Sequence, residues 1–501
     1  MDIQRSWGNV FHQRDFEDPF EFLTCSACDD ITVPEGDVTL KYEPDPRRSG
    51  DFVVSSSIVG EPGTPTMSLV RPLKKVYNYL METTCPSHYR VNWACRGDRT
   101  VKTNYDVAFL LFYSRITNRN IATPTALEPD DEERVETNAD LSGQDSTLIY
   151  KLNGTAQTNT FAQAINDMVF LDEACEGVCG DKVGKGNFGY AVMDIAGYLD
   201  YSTVEIGITE DGGSTWAAVT GEPFSPWGAN LTCVTVVETS DDHRLIVGRA
   251  AVDDIAPAIS YSDDEGDSFT EVSLPGLEND GVYDFARARD GSLWVCGDGG
   301  YIYKSTDQAN SWTAKEDGTE TSETLRGMAF NQSAMFGEES VGYAVGDSNT
   351  FLYTEDGGDD WASGTGPDAA VNLLCVAVNR FGHVFVGTND ARVFRTTKGV
   401  NTEAADWEEM ADHTAGSINS IDFDPYLNYF GAYSWDNATP VGTVYRTEDG
   451  GASWYADQLV GSTPTNQGIN VVKVVGPNMI YAGGELLAGG TPFIGKFTRR
   501  S

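Results

Sequence analysis

The sequence has little positive charge. Its 501 residues carry 34 lysines and arginines against 76 aspartates and glutamates, a formal net charge of −42. Residues 151–501 contribute −33 of this total and residues 1–150 contribute −9. Such a surface repels nucleic-acid phosphates and anionic membranes. The charge therefore argues against nucleic acids and anionic membranes as partners. Adaptation to salty surroundings would produce the same balance, so the charge does not by itself identify a function.

Long apolar runs and the usual marks of a metal or nucleotide site are also missing. No stretch approaches the ~20 apolar residues that a membrane helix needs. The opening residues, MDIQRSWGNVFHQRDF, lack the basic and apolar regions of a signal peptide. The 5 histidines show no metal-ligand spacing, and calcium loops and phosphate-binding glycine loops are absent from the sequence. We therefore expect no membrane partner, no metal, no cofactor, and folding in a cytoplasm.

The 9 cysteines are scattered rather than regularly spaced. Cys25 and Cys28 form a C-x-x-C pair, but no second pair with knuckle spacing follows, so this is a weak zinc pattern. Cys175 and Cys179 flank a short segment within a Gly-rich loop, where a local disulfide could form. Buried free thiols are the default for a chain made in a reducing compartment.

A short phrase is repeated in the C-terminal two-thirds of the chain. Five segments fit Ser/Thr-x-Asp-x-Gly-x-Ser/Thr-Trp/Phe, some with one substitution: TEDGGSTW at 209–216, SDDEGDSF at 262–269, STDQANSW at 305–312, TEDGGDDW at 354–361 and TEDGGASW at 447–454. A degenerate sixth, TTKGVNTEAADW, spans 396–407. The six starts lie 53, 43, 49, 42 and 51 residues apart, which is the period of propeller blades.

The phrase predicts a hairpin between the third and fourth strands of each blade. β-rich segments precede it and one short strand follows it, which makes four strands per unit. The Asp accepts backbone N–H bonds within the turn, the Gly supplies a backbone angle that other residues disfavour, and the aromatic residue anchors the hairpin. We assign these residues structural rather than catalytic roles: Asp211, Gly213, Trp216, Asp264, Gly266, Phe269, Asp307, Trp312, Asp356, Gly358, Trp361, Asp449, Gly451 and Trp454.

Seven blades account for the whole C-terminal region. Six units end in a phrase, and three further strands follow Trp454 before the end of the sequence. A strand at 146–154 precedes the first unit. We expect this strand to close the ring as the outer strand of the last blade, because an open propeller leaves unpaired edges.

This organisation resembles the Asp-box, or BNR-repeat, propellers, which include sialidases, sortilin-type receptors and photosystem II assembly factors. The resemblance covers residues 146–501 and implies the fold rather than an activity. Sialidases carry an arginine triad and an Arg-Ile-Pro motif, and no Arg-Ile-Pro occurs here. Arg287, Arg289, Arg326 and Arg380 lie at or near the first strands of three successive blades. They are either a channel patch, as in the photosystem factors, or scattered surface arginines.

Residues 1–145 follow a different pattern. Strand-like segments surround one helical stretch, Leu73–Met81, whose apolar residues have helical spacing. The order resembles that of the major tail tube proteins of long-tailed bacteriophages, a resemblance of pattern rather than of motif. The matching segments are Glu35–Leu40, Gly60–Pro65, Leu73–Met81, Tyr105–Thr117 and Ala126–Leu141. The resemblance implies subunits that form stacked rings around a channel.

The sequence thus predicts an all-β chain of two domains. Residues 1–145 are a tail-tube-like polymerisation domain, a β-sandwich or barrel with one helix, and residues 146–501 are a seven-bladed Asp-box β-propeller. The predicted function is that of a virion structural protein, a phage tail tube subunit and not an enzyme, with the propeller displayed outward.

Its predicted partners are other copies of itself, other virion tail proteins and a host-surface glycan at the propeller. DNA would pass through the lumen without specific binding. The predicted location is the virion tail, assembled in the host cytoplasm. The alternatives are an exported sialidase-like or glycan-binding propeller and a photosystem-type assembly factor.

Overall fold

Two compact units form the chain, Met1–Lys151 with Arg499–Ser501 and Leu152–Thr498. A computed structural model of the chain describes residues 6–13, 21–32, 41–44, 52–55, 66–70, 87–93, 107–116, 139–142, 145–150, 152–157, 159, 161–171, 188–195, 204–224, 230–239, 243–251, 258–277, 280–331, 341–413, 415–424, 429–436, 443–457, 468–476, 478–486 and 491–499. Among these residues, no helix is long and apolar enough to span a bilayer.

The first unit contains nine described strands. They are β1 (Ser6–Gln13), β2 (Glu21–Thr32), β3 (Lys41–Pro44), β4 (Phe52–Ser55), β5 (Thr66–Val70), β6 (Ser87–Trp93), β7 (Val107–Ile116), β8 (Ala139–Ser142) and β9 (Asp145–Tyr150). Seven form one sheet in the order β6-β1-β2-β5-β8-β7-β9, and β6 also pairs with β7. This last pairing closes six of the strands into a circuit. β3 and β4 form a separate two-stranded sheet.

Several segments of the predicted tail-tube pattern fall outside the described residues. The predicted helix Leu73–Met81 is one of them, and Glu35–Leu40 and Gly60–Pro65 are two others. The predicted long strand Tyr105–Thr117 corresponds to β7. The unit is therefore described here by its strands alone.

The second unit is a seven-bladed β-propeller, as predicted. Its described residues form seven four-stranded antiparallel sheets. The closing strand is β10 (Leu152–Ala156). The first three blades are β11 (Ile165–Phe170), β12 (Gly189–Ile195), β13 (Val204–Thr209) and β14 (Ala217–Ala218); β15 (Leu231–Glu238), β16 (His243–Arg249), β17 (Ile259–Ser262) and β18 (Thr270–Val272); and β19 (Val282–Arg287), β20 (Leu293–Gly297), β21 (Tyr301–Ser305) and β22 (Thr313–Asp317).

Three further complete blades follow, and the seventh is shared between the two ends of the unit. The complete blades are β23 (Leu325–Phe330), β24 (Gly342–Gly346), β25 (Thr350–Thr354) and β26 (Ala362–Thr365); β27 (Leu373–Val378), β28 (Val384–Thr388), β29 (Arg392–Thr396) and β30 (Glu408–Asp412); and β31 (Ile421–Phe423), β32 (Gly431–Trp435), β33 (Thr443–Thr447) and β34 (Tyr455–Asp457). The seventh is β35 (Ile469–Gly476), β36 (Met479–Leu486) and β37 (Pro492–Arg499) with β10.

The ring closes through a strand that precedes the first blade. β10 pairs with β37, and the Gln157 N–H donates to the Ile494 carbonyl at 2.8 Å. The single strand predicted at 146–154 is divided in the structure. Its first part lies in β9, which pairs with β7, and only Leu152–Ala156 closes the propeller. The two short strands are separated by Lys151 alone, so the sequence reads as one continuous strand.

The apolar core lies between neighbouring blades rather than inside each blade. Ile246 of the second blade, for example, clusters with Val295 and Trp312 of the third. The same packing joins the last blade to the first, where Tyr481 clusters with Trp216. Each blade therefore depends on its neighbours for burial, which is why the ring must close.

Candidate functional site

The five regular hairpins share one hydrogen-bond pattern, which we call the Asp hairpin. In the first, the Thr209 hydroxyl donates to Asp211 Oδ1 at 3.1 Å and accepts from the Gly213 N–H at 2.8 Å. Asp211 also accepts from the backbone N–H and the hydroxyl of Thr215, both at 2.8 Å. The pattern fixes the turn from within, as an Asx-turn does.

The other four copies repeat this pattern around their own aspartates. These are Asp264, Asp307, Asp356 and Asp449. Three of them receive a hydroxyl bond from the serine four residues later, at 2.5–2.6 Å. The fourth hairpin cannot make that bond, because Asp360 occupies the serine position and offers only its backbone N–H, at 3.1 Å from Asp356 Oδ1.

These bonds lower the pKa of the hairpin aspartates. Burial would raise the pKa of Asp211, but the backbone and hydroxyl bonds from Thr215 and Thr209 outweigh it. The same balance lowers the pKa of Asp264, Asp307 and Asp356. A carboxylate that accepts several hydrogen bonds is held in its charged form for structural reasons.

The glycine of the hairpin touches the blade before it. Gly358 has φ of +86°, and a Cβ built there would lie 2.0 Å from Trp294 of the third blade. Gly213 and Gly451 likewise have positive φ and lie against Tyr481 and Phe385. In the third hairpin Ala309 adopts φ of 67° and is fully buried. This position therefore requires a left-handed backbone everywhere and close contact in most blades.

The aromatic residue that ends each hairpin serves packing. Trp216, Trp312 and Trp361 are each 6% exposed, and Phe269 is partly buried against the apolar cluster between blades one and two. The indole N–H groups of Trp216, Trp312, Trp361 and Trp454 are buried and find no hydrogen-bond partner among the described residues. The degenerate sixth segment is built differently: Lys398 pairs with Asp406 at 2.7 Å, and Trp407 donates to the Thr365 carbonyl at 2.9 Å.

The opposite end of the propeller carries a β-bulge in its innermost strands. In six blades the pairing of the first two strands shifts by one residue near its start. In the sixth blade the extra residue lies between the Ser417–Asp436 bridge and the bond from the Ser434 N–H to the Ser420 carbonyl. We call this end the bulge mouth. Its bulged residues are Asn166, Thr232, Tyr283, Arg326, Leu374, Asn419 and Asn470.

A second ring surrounds the bulged residues. In every blade, a residue at or just after the end of the second strand donates its N–H to the backbone carbonyl of a residue just before the innermost strand. Four of these residues are aspartates and one is a glutamate. The ring is Asp194, Ala250, Asp298, Asp347, Asn389, Asp436 and Glu485. A cavity of about 310 Å³ opens between the two rings, lined by six of the seven bulged residues.

The bulged side chains of blades seven, one and two connect neighbouring blades. The Nδ2 group of Asn470 donates to the Ile165 carbonyl at 3.0 Å, and that of Asn166 donates to the Leu231 carbonyl at 2.8 Å. The Thr232 hydroxyl donates to the Val282 carbonyl in the same way. The three acceptors occupy equivalent positions, at the start of the next innermost strand. On this side of the mouth the bulge is an architectural device.

The bulged side chains of blades three to six do not make this connection. Arg326 forms two bonds to Asp347 instead, at 2.6 and 2.8 Å, and its guanidinium carbon lies 5.6 Å from the centre of the Tyr283 ring. The Tyr283 hydroxyl donates to Asp298 at 3.2 Å. We call these four residues, Tyr283, Arg326, Leu374 and Asn419, the open arc.

The electrostatics of the open arc follow from these bonds. The hydrogen bonds with Asp347 raise the pKa of Arg326, although burial opposes them. Burial and then the charge of Asp298 raise the pKa of Tyr283 to about 12. Asp298 accepts three bonds, from the Gly281 N–H, the Tyr283 hydroxyl and the Thr324 hydroxyl. The arc therefore holds one fixed cation and one neutral phenol.

Deeper in the channel, three aspartates and one lysine connect the innermost strands. Asp167 accepts from the Val234 N–H, Asp284 from the Met328 N–H and Asp422 from the Val474 N–H, at 3.0, 2.8 and 2.7 Å. Each bond joins one blade to the next. Lys473 lies 3.3 Å from Asp167.

Burial and neighbouring charges shift the pKa of three of these groups, Asp284, Asp422 and Lys473. Burial raises the pKa of Asp284 to about 7 and that of Asp422 to about 6. Burial would lower the pKa of Lys473, but the three aspartates raise it. Perturbed carboxyls in a channel can mark a catalytic site. Here each of them already accepts a backbone bond that holds the ring together.

The histidines of the propeller and its described cysteines lie in structural positions, and Cys175 and Cys179 fall outside the described residues. His243 bonds to the Tyr190 hydroxyl at 2.8 Å, and His413 stacks on Trp435. Burial lowers the pKa of His383 to about 4. Cys233, Cys296 and Cys375 are buried free thiols. Within the described part of the chain, no cluster of His, Cys, Asp or Glu could hold a metal ion.

The four arginines noted in the sequence do not meet at one place. Arg326 lies at the start of its innermost strand, in the bulge mouth, whereas Arg287 ends β19 and lines a different cavity with His243. Arg289 and Arg380 lie just beyond the ends of β19 and β27.

The sequence pointed to the Asp hairpins and missed the bulge mouth, with the exception of Arg326. Bulged residues of seven blades are asparagine, threonine, tyrosine, arginine and leucine, so they share no residue type. The Gly-Asp pairs at the ends of the second strands of blades three and four, Gly297-Asp298 and Gly346-Asp347, would have aligned the bulges of those two blades.

Comparisons with known proteins identify no family. No family model matches the chain, and no curated protein matches it. Among solved structures, YCF48 from Cyanidioschyzon merolae is 15% identical, with a TM-score of 0.47 over 69% of this chain and 98% of that one. Virginiamycin B lyase from Staphylococcus aureus is 13% identical, with a TM-score of 0.48 over 70% and 99%.

The match to a third solved structure covers a smaller share of that structure's chain. The xyloglucanase from Xanthomonas campestris is 15% identical, with a TM-score of 0.47 over 68% of this chain and 55% of that one. Similarity at this level carries no assignment of activity. The seven-bladed architecture is established by the strand pairing of the chain itself.

Proposed function

We propose that this chain is a structural assembly protein, a subunit of a phage tail tube that displays an Asp-box propeller. The observation that carries the proposal is the strand pairing of the first unit. Six strands close into a circuit, and β9 pairs with β7 on one edge and has no partner on its other edge among the described strands. An edge of this kind is a template for pairing with another chain. The two-stranded sheet β3–β4 is a second candidate contact.

Membership of the Asp-box propellers is supported by the hairpins. Five copies of one bond pattern, each centred on an aspartate, are more specific than the strand count alone. In this proposal the hairpins are structural and define no site. Function lies in other parts of the molecule.

A structural role is favoured over an enzymatic one by the way the channel groups are used. Asp167, Asp284 and Asp422 each accept a backbone bond from the next blade, which gives each of them a structural role in the ring. A sialidase-like site would also need several arginines together. The cavity at the bulge mouth is lined by one, Arg326, among the described residues.

The proposed partners are other copies of the chain and other tail proteins of a virion assembled in the host cytoplasm. Residues 1–150, which would form the lumen in this proposal, carry a net charge of −9, which suits a channel through which DNA passes without binding. The charge of −33 on residues 151–501 would keep the propellers of neighbouring copies apart.

Assembly of the full chain tests this proposal. We expect sedimentation velocity to show large, concentration-dependent species, and negative-stain images to show rings or tubes with peripheral knobs. Asp211→Ala, a hairpin substitution in the propeller, is the control that should leave assembly unchanged. A folded monomer at high concentration would contradict the proposal and favour the exported glycan-binding alternative.

A further inference from the structure

We propose that the cavity at the bulge mouth is a binding site for a small, uncharged, polyhydroxylated molecule such as a mono- or disaccharide. The open arc, Tyr283, Arg326, Leu374 and Asn419, holds the ligand. The proposal concerns the propeller alone and does not depend on assembly of the first unit.

The open arc is the part of the mouth whose side chains do not bond to the next blade, although Asn419 bonds to Ser417 and Asp436 within its own blade. Equivalent side chains in blades seven, one and two are used to bond to the next blade, through Asn470, Asn166 and Thr232. The cavity of about 310 Å³ nevertheless reaches across to the four residues that make no such bond. A β-bulge aims its extra side chain away from the regular face of the sheet, and bulges are enriched beside binding sites.

Arg326 is held in one orientation and keeps a donor for a ligand. Two bonds to Asp347 and the neighbouring Tyr283 ring fix its guanidinium plane. Its remaining nitrogen, Nη1, makes no hydrogen bond to the described residues. The Arg326 side chain is 36% exposed, so this donor is accessible from the cavity. Fixing a donor in advance reduces the entropy lost on binding.

The groups around Arg326 select an uncharged ligand. Asp347 neutralises the guanidinium, and the mouth carries three further aspartates, so an anion meets a negative rim. A cation meets Arg326, and the two carboxylates bonded to the open arc are occupied: Asp298 accepts three bonds and Asp347 is bound through both oxygens. Asp194, the carboxylate that lines the cavity, accepts a bond from Asn166. Hydroxyl groups fit both restrictions, because each can donate and accept.

Acceptor and apolar groups complete the match. Asn166 uses its Nδ2 group for Asp194 and Leu231, and its Oδ1 accepts no bond from the described residues. Leu374 supplies an aliphatic surface for the C–H face of a ring. Among the seven bulged residues, Leu374 is the one whose side chain has no hydrogen-bonding group. The cavity volume is at the small end of the ~300–1,000 Å³ range of ligand sites, which suits one or two sugar rings.

Sugar binding to the full-length protein tests this site. The probes are lactose, maltose, cellobiose and N,N′-diacetylchitobiose, followed by saturation-transfer NMR and by calorimetric titration. Sialyllactose is the matched anionic probe, because it adds one charged sugar to lactose. The variants are Arg326→Lys, which keeps the charge beside Asp347 and removes the fixed Nη1 donor, and Leu374→Trp, which fills the cavity. Asp211→Ala at the other end of the propeller is the control.

We expect at least one neutral disaccharide to bind with a millimolar Kd, and sialyllactose to bind no more tightly than lactose. Affinity should fall about tenfold in Arg326→Lys and at least as much in Leu374→Trp, the loss typical of one fixed hydrogen bond to a charged donor. Asp211→Ala should bind as the unmodified chain does. Failure of every neutral probe, unchanged affinity in folded Leu374→Trp, or preference for sialyllactose would each overturn the proposal.

Discussion

The two ends of the propeller are built on different rules. At one end, five Asp hairpins repeat the same bonds and the same left-handed residue, with small changes that the ring tolerates. At the other end, seven bulged residues share a backbone position but belong to five residue types: three are asparagine and the others are threonine, tyrosine, arginine and leucine. A feature that recurs in every blade is required by the structure of the blade. A feature that changes from blade to blade within one half of the ring is not required by that structure, and we attribute it to ligand binding.

This difference predicts that substitutions at the hairpin end reduce stability and that substitutions at the bulge mouth reduce binding. The 8 tryptophans of residues 152–498, out of 10 in the chain, report on unfolding of the propeller by fluorescence. The predictions follow from the largest expected effect to the smallest.

Gly358→Ala should cause the largest loss of stability. The new methyl group would lie 2.0 Å from Trp294 and φ is +86°. Overpacking and the left-handed backbone together cost about 3 kcal/mol. Urea unfolding of the full chain measures the loss. Ala309→Gly, at the equivalent position of the third hairpin, is the control and should change stability little. Equal effects of the two substitutions would show that the contact between blades is not the cause.

The channel aspartates should lower the free energy of unfolding as the pH rises from about 4 to about 7. Burial raises the pKa of Asp284 to about 7. The folded chain therefore holds a proton that the unfolded chain has already released, and unfolding is favoured as pH rises. Both Asp284 and Lys473 are partly exposed to the channel, so the effect is about 1–2 kcal/mol.

Asp284→Asn isolates this contribution, because the amide stays neutral and can still accept from Met328. The free energy of unfolding of the variant, relative to that of the unmodified chain, should rise as the pH increases from about 4 to about 8. A constant difference across that range would show that Asp284 is ionised throughout. The hairpin aspartates, with lowered pKa, act in the opposite direction and lose their contribution only as pH falls through their folded-state pKa.

Asp264→Ala should cost about 1 kcal/mol, as the loss of a helix-capping carboxylate does. It removes the bonds from the N–H and hydroxyl of Ser268. Chemical unfolding measures the change, and sugar binding should not alter. A loss of binding in a folded Asp264→Ala protein would mean that the hairpin end takes part in the site.

Asp360→Ser should stabilise the fourth hairpin by about 0.5 kcal/mol, the lower end of a net hydrogen bond. It restores the hydroxyl that the other four copies direct at the aspartate and removes a carboxylate close to Asp356. Unfolding midpoints at matched pH measure the gain. No gain, or a loss, would show that the hydroxyl bond contributes little to any hairpin.

The sequence was sufficient for the repeated part of the fold. Blade number, hairpin position and ring closure follow from TEDGGSTW and its relatives, because a turn that must bond to itself leaves a recognisable residue pattern. The closing strand was misplaced by several residues because Lys151 alone separates β9 from β10. These two strands have similar composition but belong to different units, and only their pairing partners show which strand belongs to which unit.

The bulge mouth could not be predicted from the sequence. A bulge is a change of register between two strands, and it constrains the backbone rather than the residue type. Arg326 attracted attention through its charge, but its partner Asp347 lies 21 residues away on another strand connection. Leu374 reads as an ordinary strand residue until its blade is superposed on the others.

One comparison of two variants tests the account most directly: sugar binding and unfolding measured together on Leu374→Trp and Asp211→Ala. We predict that Leu374→Trp loses binding with its unfolding midpoint nearly unchanged, and that Asp211→Ala keeps binding with a lower midpoint. The reverse result, binding lost at the hairpin and kept at the filled mouth, would contradict the division of the propeller into a structural end and a binding end.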